Sequence, residues 1–446
     1  MTAGTGRTGL AQGAAALLLA LAVWLRALPA VAAGETDHAS LVGAALELAC
    51  RAPAVEDMAQ KAALLPGFGG FHVQPRAVSP TGWRVSFEVS GGVLTIRRLA
   101  PGGELRDVTA QFDGQGGRRP ELLASADITC SIRTARRLVY GPDGDLQAIE
   151  HLDDLFAPVG WQEPVNPEVP RRRDPGGLAV ALIDTGVNYL LPEIEARLAR
   201  GVDDDLLGFD YWDLDRRPFD ADPVESVFFP AHHGTGTASL VAREAPVAKL
   251  VPYRYPWPDM ARLTDLVADA AAKHIRLVNI SLADPEAANW RAFADAAARH
   301  TEILFIAAAG NLSRDLDREP MYPAALDLPN LITVTSAMAS GRLYQHANWG
   351  RQTVDLMVPA FGLRVIDFDG GQRRVSGSSY AAARVSALAA CLLAAHPEWT
   401  TARLRQAILA RAVASADSGQ VAVGFLPDPA VTDRGACRAM AQVYGL

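Results

Sequence analysis

The sequence has very few lysines and no surplus of positive charge. Its only lysines are Lys61, Lys249 and Lys273, and 42 basic residues stand against 50 acidic ones, which gives a formal net charge of -8. A protein with this charge does not suit the neutralisation of phosphates, so we expect no nucleic-acid partner. Beyond the first residues, no apolar run reaches the roughly 20 residues that span a bilayer. We therefore expect no membrane contact in the mature protein.

The composition is otherwise that of a folded globular protein. Hydrophobic residues make up 49% of the chain and charged residues 21%, values close to the average for soluble domains. No internal repeat is visible. A length of 446 residues predicts two or three domains.

The first residues have the pattern of an export signal. Arg7 precedes the apolar stretch 14–25, and the small residues Ala30-Val31-Ala32-Ala33 form a cleavage site. An uncleaved membrane anchor is the alternative, but Arg26 ends the apolar stretch early. We expect a signal peptide over 1–33, cleavage after Ala32 or Ala33, and export to the periplasm or the medium.

The cysteines fit an exported protein. There are four of them, an even number, and an oxidising compartment permits disulfides. Three pairings are available. The domain division argued below favours Cys50 with Cys130 and Cys391 with Cys437. Buried free thiols are the alternative, especially for Cys391 on an apolar helix.

The chain changes its hydrophobic periodicity near its middle. Residues 39–65 have a helical pattern, and 83–151 alternate in short runs typical of strands. The Pro-rich segment 157–177, with Arg171-Arg172-Arg173, is predicted to be an exposed linker. From residue 178 onward, apolar strands alternate with helices, which implies a mostly parallel, doubly wound α/β sheet with helices on both faces. The predicted domains are a small strand-rich α+β domain over 34–156 and the α/β domain over 178–446.

An aspartate ends the clearest buried strand of the α/β domain. The apolar segment 179–183 is followed by Asp184-Thr185-Gly186. Open α/β sheets bind ligands at the carboxyl ends of their strands, so Asp184 is a candidate catalytic residue. Asp-Thr-Gly is equally typical of aspartic proteases, in which two aspartates share a proton. No second Asp-Thr-Gly or Asp-Ser-Gly follows, so that alternative requires a homodimer.

A histidine and a serine begin two later helical segments. His233 precedes Gly234-Thr235-Gly236, and Ser379 follows Gly377-Ser378 at the start of an Ala-rich helix predicted to reach about Ala395. A serine at a helix N-terminus has an unpaired backbone N–H and the positive end of the helix dipole beside it, which suits a developing oxyanion. Taken singly, a structural histidine and an ordinary N-cap serine are the better interpretations.

The order of the three motifs changes that judgement. An acid, a base and a hydroxyl arrive as Asp, His and Ser, the order found in subtilisin. The motifs at Asp184, His233 and Ser379 resemble the signature motifs of the subtilisin-like serine peptidases. Two further segments resemble that family's substrate-binding strand and its oxyanion-hole strand end, Asn279-Ile280-Ser281-Leu282 and Ala307-Ala308-Ala309-Gly310-Asn311. The resemblance covers about residues 178–427.

The resemblance implies a subtilisin-like fold and a role for each matching residue. Ser379 would be the nucleophile, His233 the general base, and Asp184 the acid that orients the imidazole. The amide of Asn311 and the N–H of Ser379 would bind the oxyanion. The polypeptide substrate would lie extended along Ser281, Leu282 and Ala283. No cofactor is required.

Four positions depart from the family pattern. Gly236 replaces a second histidine, Tyr380 a methionine, Ala383 a proline, and Ala283 a glycine that lets the substrate backbone approach. No triad atom is removed, but a catalytically degenerate binding module is an alternative. Ser378 is the competing hydroxyl, although the family pattern Gly-Thr-Ser puts the nucleophile third.

Acidic residues crowd the stretch between the first two motifs: Asp203, Asp204, Asp205, Asp210, Asp213, Asp215, Asp220 and Asp222. Oxygen-rich loops bind calcium, and members of the family often do so. A solvated loop is the preferred interpretation because no regular ligand spacing is visible, with structural calcium as the alternative. Further along, Asp317 and Glu319 lie near the expected primary pocket and would favour a basic substrate side chain.

Residues 34–170 lie outside the resemblance. They are either a propeptide that inhibits the enzyme by blocking its cleft, with maturation at Arg171 to Arg173, or a retained accessory domain. The sequence does not choose between them.

Overall fold

The computed structural model describes residues 38–71, 77–79, 81–432 and 437. The predicted signal peptide, 1–33, lies outside the described residues. The described residues divide into two compact units, one formed by those up to Arg137 with Leu152–Val159 and the other by Leu138–His151 with those from Gly160 onward.

The first unit contains helices and an antiparallel sheet. Its helices are α1 (His38–Cys50), α2 (Val55–Lys61) and the short turn α3 (Gly114–Gly117). Its strands are β1 (Phe68–Phe71), β2 (Ala77–Ser79), β3 (Gly82–Val89), β4 (Gly92–Leu99), β5 (Asp107–Asp113), β6 (Arg119–Ala126) and the start of β7 (Ile132–Tyr140). They lie in the order β1-β3-β4-β5-β6-β7, with β2 paired to β3.

Alternation of buried and half-exposed residues explains how this sheet forms. In β5, Val108, Ala110 and Phe112 are buried while their neighbours are not, so one face of the strand points to the core. Helix α1 covers that face, with Leu46 in the same core cluster. A Cys50–Cys130 disulfide joins the end of α1 to the loop before β7. The predicted strand-rich character of this part of the chain is confirmed, and the predicted disulfide is present.

Strands β8 (Leu146–Leu152) and β9 (Pro158–Pro164) follow β7 in the strand order. The predicted linker 157–177 therefore begins with a strand. Its prolines led to the prediction of a linker. However, β9 is the last strand in the order, and an edge strand tolerates proline because its outward N–H groups need no partner. Residues 138–151 also pack with the second unit, where the N–H of Val165 donates to the carbonyl of Gln147 at 3.0 Å.

The second unit alternates strands and helices. Its strands are β10 (Leu178–Asp184), β11 (Phe209–Asp210), β12 (Ala248–Arg254), β13 (Leu277–Ile280), β14 (Leu304–Ala308), β15 (Leu331–Ala337), β16 (Leu356–Pro359), β17 (Leu363–Ile366), β18 (Gln372–Val375) and β19 (Gly424–Phe425). Its helices are α4 (Pro192–Glu195), α5 (Gly234–Glu244), α6 (Leu263–Ala272), α7 (Arg291–Arg299), α8 (Ser378–Ala395), α9 (Thr401–Leu409) and α10 (Pro429–Thr432).

The main sheet of this unit is parallel and buried on both faces. Its order is β11-β12-β10-β13-β14-β15-β16-β19, and neighbouring strands pair in parallel. In β10, Val180 and Leu182 belong to the core on one face, and Ala181 and Ile183 to the core on the other. Such a strand is continuously apolar, as its sequence predicts. The doubly wound fold is confirmed.

Strand β10 lies between β12 and β13, so its carboxyl end opens into the crevice where α/β sheets bind ligands. Helix α8 is long and apolar enough to cross a membrane by length and composition alone, yet 94% of it is buried in this unit. Its Cys391 forms the second predicted disulfide, with Cys437.

Candidate active site

Asp184 ends β10 with its carboxylate fully engaged. One oxygen, Oδ1, accepts from the N–H of Thr185 at 2.8 Å and from Nδ1 of His233 at 2.7 Å. The other, Oδ2, accepts from the hydroxyl of Thr237 at 2.9 Å. The side chain is only 1% exposed, so these bonds hold the carboxylate in one orientation.

His233 stands immediately before α5, opposite Asp184. A carboxylate accepts, so the bond to Asp184 assigns the proton to Nδ1 and leaves Nε2 as a proton acceptor. Gly234, the next residue, allows the His233 motif to lie this close to the Asp184 motif. A Cβ on Gly234 would stand 1.9 Å from the carbonyl oxygen of Gly186, so only glycine lets the two motifs come together.

Asp220 ties these two motifs together, a role that the sequence did not reveal. Its side chain is 0% exposed. One oxygen accepts from the hydroxyl of Thr185 and from the N–H of His233 at 3.1 Å, and the other accepts from the N–H of Thr235 at 2.8 Å. The first turn of α5 has unpaired N–H groups, and this carboxylate satisfies one of them while fixing the backbone of His233.

Ser379 and Ser378 open α8, and their hydroxyls have different surroundings. The hydroxyl of Ser378 is fully buried and accepts from the N–H of Gly310 at 2.9 Å, so it is committed to structure. The hydroxyl of Ser379 makes one long contact, 3.3 Å to the carbonyl of Ser281. Among the described residues, no hydrogen bond joins Ser379 to His233.

Asn311 lies beside the start of α8. Its Oδ1 accepts from the N–H of Ser378 at 2.9 Å, and a backbone N–H can only donate, so the side-chain NH₂ of Asn311 is the group left for a ligand. Gly377 makes room for this amide. Its φ of +145° is one that L side chains rarely adopt, and a Cβ there would stand 3.1 Å from Nδ2 of Asn311.

The segment predicted to bind substrate follows β13. Ser281 is buried against Ser379, with its hydroxyl donating to the Ser379 carbonyl at 3.4 Å. Leu282 is half-buried and Ala283 is exposed. The Cβ of Ala283 would lie 3.4 Å from a Cβ on Gly310, so the segment borders the loop of Asn311. The structure thus brings all seven predicted site residues to the carboxyl end of the sheet.

Comparison with protein families gives this arrangement a context. A model described as the Subtilase family matches residues 176–433, more than half of the chain. The chain belongs to the subtilase family. Subtilases are serine peptidases, and the family resemblance inferred from the sequence is confirmed.

Two curated relatives illustrate the distance within the family. The chain is 27% identical to the thermophilic serine proteinase of Bacillus sp. (strain AK1) over 232 residues, which is 48% of this chain and 52% of that protein. It is 22% identical to subtilisin E of Bacillus subtilis (strain 168) over 323 residues, 67% of this chain and 78% of the relative. The chain therefore spans about half the length of the first and about three quarters of the second.

Solved structures similar to this subtilase include a cold adapted subtilisin-like serine proteinase, at a TM-score of 0.48 and 24% identity, covering 59% of this chain and 93% of that one. A lanthipeptide protease is similar at a TM-score of 0.47 and 21% identity, covering 60% and 89%.

The electrostatics of the subtilase site centre on His233. Burial alone would lower the pKa of its imidazole, but the charge of Asp184 and the hydrogen bond to it, helped by Asp220, raise that pKa above the ordinary 6.5. Arg373 opposes them by disfavouring a second positive charge nearby. The imidazolium is therefore stabilised, as a base that must hold a proton during the reaction requires.

Two of the departures from the subtilase pattern, Gly236 and Tyr380, are neighbours in the structure. A Cβ on Gly236 would lie 3.5 Å from the hydroxyl of Tyr380 and 3.6 Å from its ring. A histidine at position 236 would overlap that ring, so the small residue and the large one complement each other. The ring of Tyr380 is centred 5.7 Å from that of His233. The third departure, Ala383, is buried within α8.

Several carboxylates of the acidic stretch are engaged by protein groups. Asp210 pairs with Arg254, at 3.0 Å, and burial raises the pKa of its carboxyl to about 6 against the pull of that arginine. Asp220 binds the triad motifs, and Asp222 accepts from the hydroxyl of Tyr255 at 2.9 Å. Among the described residues, no group of three or more His, Cys, Asp or Glu side chains could hold a metal ion. The calcium interpretation gains no support from this geometry.

The structure also shows the surroundings of Asp317 and Glu319, the two acidic residues predicted to lie near the primary pocket. The carboxylate of Asp317 accepts from the N–H groups of Arg351, Gln352 and Thr353, which shape a turn. Glu319 is exposed, 3.6 Å from Arg314. The Asp317 carboxylate is engaged in this turn, so the predicted preference for a basic substrate residue has no structural support.

His232, predicted to be a flanking residue, is held from three sides. Its ring stacks on Phe368 at 3.6 Å, its Nε2 lies 3.1 Å from the carboxylate of Glu163, and its Nδ1 bonds to the carbonyl of Asp220. Burial opposes the charged form, but the bond to Glu163 raises the pKa of His232. Strand β9, which carries Glu163, thus supports the residue next to His233.

Proposed function

We propose that this subtilase is an exported serine endopeptidase that cleaves polypeptides through an acyl-enzyme on Ser379. His233 acts as the general base, and Asp184 holds it in the required tautomer. The side-chain NH₂ of Asn311 and the N–H of Ser379 stabilise the oxyanion. The substrate lies extended along the segment from Ser281 to Ala283.

One observation carries this proposal: the 2.7 Å bond between Asp184 and Nδ1 of His233, beside a serine whose hydroxyl is held only by a long contact. The carboxylate has no free oxygen with which to share a proton with a second aspartate. It does have the geometry of a group that orients an imidazole.

The reaction uses these residues in two halves. Ser379 turns toward Nε2 of His233, gives it a proton, and its Oγ bonds to the scissile carbonyl carbon. The carbonyl oxygen becomes an oxyanion that Asn311 binds. His233 then passes the proton to the leaving amine as the C–N bond breaks. Water then gives a proton to His233 and bonds to the acyl carbon, the ester bond to Ser379 breaks, and His233 returns the proton to Oγ as the carboxylic product leaves.

The two alternatives make different demands on the protein. An aspartic protease would need Asp184 from two copies to share a proton, and the doubly wound fold with a bonded His233 does not favour this. A degenerate binding module would keep the groove around Ser281 but hydrolyse nothing. The complete triad favours the enzyme over that module.

A fluorophosphonate probe and a casein-cleavage assay test the proposal on the purified protein. We expect labelling and cleavage by the wild type, and neither by Ser379→Ala or His233→Ala, because labelling needs an activated hydroxyl. Folding of each variant is checked by its thermal unfolding. Inhibition by pepstatin without labelling would indicate the aspartic alternative. A folded wild type that is neither labelled nor proteolytic would indicate the binding module.

Export and the fate of residues 34–170 belong to the same proposal. The anchoring of His232 by Glu163 supports the view that the strand carrying Glu163 stays associated after any cut at Arg171 to Arg173. N-terminal sequencing of the exported protein tests this. A start near Asp174 indicates a processed propeptide, and a start at Ala33 or Gly34 indicates a retained domain.

A further inference from the structure

The hairpin of β17 and β18 precedes the nucleophile in the chain and packs on α5, the helix that begins just after His233. Its two strands pair antiparallel, with Val365 opposite Arg373 and Arg364 opposite Arg374. Directly opposite residues lie on the same face. Val365 is buried, so Arg373 shares the inner face of the hairpin, whereas Arg364 and Arg374 lie on the outer, exposed face.

The inner face of this hairpin meets the catalytic base. A Cβ on Gly236 would be 3.5 Å from both Val365 and the hydroxyl of Tyr380, so hairpin, tyrosine and helix α5 meet at one point. The positive charge of Arg373 acts on both rings, lowering the pKa of Tyr380 and that of His233 against the stronger influences that raise them. With its position opposite Val365, this puts the arginine near the group that protonates the leaving amine.

The guanidinium of Arg373 retains the capacity to bind a ligand. Its Nε lies 3.3 Å from the carboxylate of Asp367, and the side chain is 46% exposed. A guanidinium has five N–H donors in a planar fork, so the contact with Asp367 leaves donors for a further carboxylate.

We propose that Arg373 is a specificity-determining residue that selects substrates with an acidic side chain directly after the scissile bond. His233 must reach the leaving amine, so the residue that begins the leaving segment passes next to His233 and Tyr380. A glutamate or aspartate there meets the exposed edge of Arg373. This inference rests on the proposed function.

The expected preference is modest because the arginine is half exposed. Exposed ion pairs contribute about 0.2–1 kcal/mol, which corresponds to a preference of about 1.4- to fivefold in kcat/KM. It should weaken as salt screens the pair.

The test begins with a peptide library digested by the wild-type protein, from which mass spectrometry identifies a well-cleaved sequence. That peptide is then synthesised with Glu, Gln or Lys directly after the scissile bond. We expect kcat/KM to fall from Glu to Gln to Lys in the wild type. The Glu-to-Gln ratio should be close to one in Arg373→Ala, and intermediate in Arg373→Lys, which keeps the charge but not the fork. Each ratio compares two peptides cleaved by the same preparation of one variant. A smaller folded fraction therefore lowers both kcat/KM values equally and leaves their ratio unchanged.

Arg374→Ala is the matched control, because this neighbour lies on the outer face and bonds the carbonyl of Gly362 at 3.0 Å. It should keep the wild-type ratio. A wild-type ratio near one, or an unchanged ratio in Arg373→Ala, overturns the inference while leaving the peptidase proposal intact. If no peptide in the library is cleaved, both fail.

Discussion

Replacing Asp220 with asparagine tests the contribution of the one site residue that the sequence patterns did not predict. Asp220→Asn keeps the shape of the side chain but converts one accepting oxygen into a donor. That oxygen accepts either from Thr235 or from the pair formed by Thr185 and His233. In either orientation, at least one N–H or hydroxyl of a fully buried cluster loses its acceptor and faces another donor.

The magnitude follows from those contacts. Hydrogen bonds to a charged group contribute about 1.5–3 kcal/mol, and an unsatisfied buried donor costs about 1–3 kcal/mol. We expect the free energy of unfolding to fall by about 2–4 kcal/mol, which lowers Tm by roughly 3–6 °C in a unit of this size. Freeing the backbone of His233 should lower kcat/KM by about ten- to a hundredfold, since a misplacement of about 1 Å can cost a hundredfold.

The pH dependence of kcat/KM shows whether Asp220 positions His233 or only stabilises the fold. The charge of Asp220 contributes to the raised pKa of His233, so its removal should move the acid limb of the kcat/KM profile to lower pH. Asp222→Asn is the control, because Asp222 accepts from Tyr255 and Val224 and contacts neither triad motif. It should leave the limb in place. A lowered Tm in Asp220→Asn with unchanged kcat/KM and an unmoved acid limb would refute the positioning role.

Three further predictions concern the neighbouring residues. In the wild type, His233 must be neutral to accept a proton and its pKa is raised, so kcat/KM should rise with pH through a midpoint above 6.5 in a pH–rate profile; a midpoint at or below 6.5 would contradict this. Ser378→Ala should lower Tm, because the buried N–H of Gly310 loses its acceptor, yet still react with a fluorophosphonate; loss of labelling in a folded variant would contradict the structural role. Gly377→Ala should lower kcat at least tenfold with a smaller change in KM, because its Cβ crowds the amide of Asn311; steady-state kinetics with unchanged kcat would exclude that amide from the oxyanion hole.

Local signals explain why much of this fold could be predicted from the sequence. The strand before Asp184 is apolar at every position because both faces are buried, and the helix after Ser379 is small and apolar because it lies inside the second unit. The pairing of Cys50 with Cys130 and of Cys391 with Cys437 followed from the domain division. The strand and the helix each leave a pattern within a few residues, and the cysteine pairing needs only the change of periodicity between the two halves of the chain.

The rest depends on contacts between distant segments. Asp220 has the same local appearance as its solvated acidic neighbours, and only its approach to Thr185 and His233 distinguishes it. The proline-flanked β9 has the composition of a linker, although its Glu163 is buried against His232. Side-chain complementarity at such positions carries no periodicity, so sequence patterns do not reveal it.

The most direct test of the proposed mechanism is to find which atom becomes covalently modified. The wild-type protein is treated with a fluorophosphonate, digested, and mapped by tandem mass spectrometry. We predict a single adduct on Ser379, none on Ser378, and none in His233→Ala. An adduct on another residue, or an unmodified Ser379 in a folded protein that cleaves casein, would contradict the mechanism.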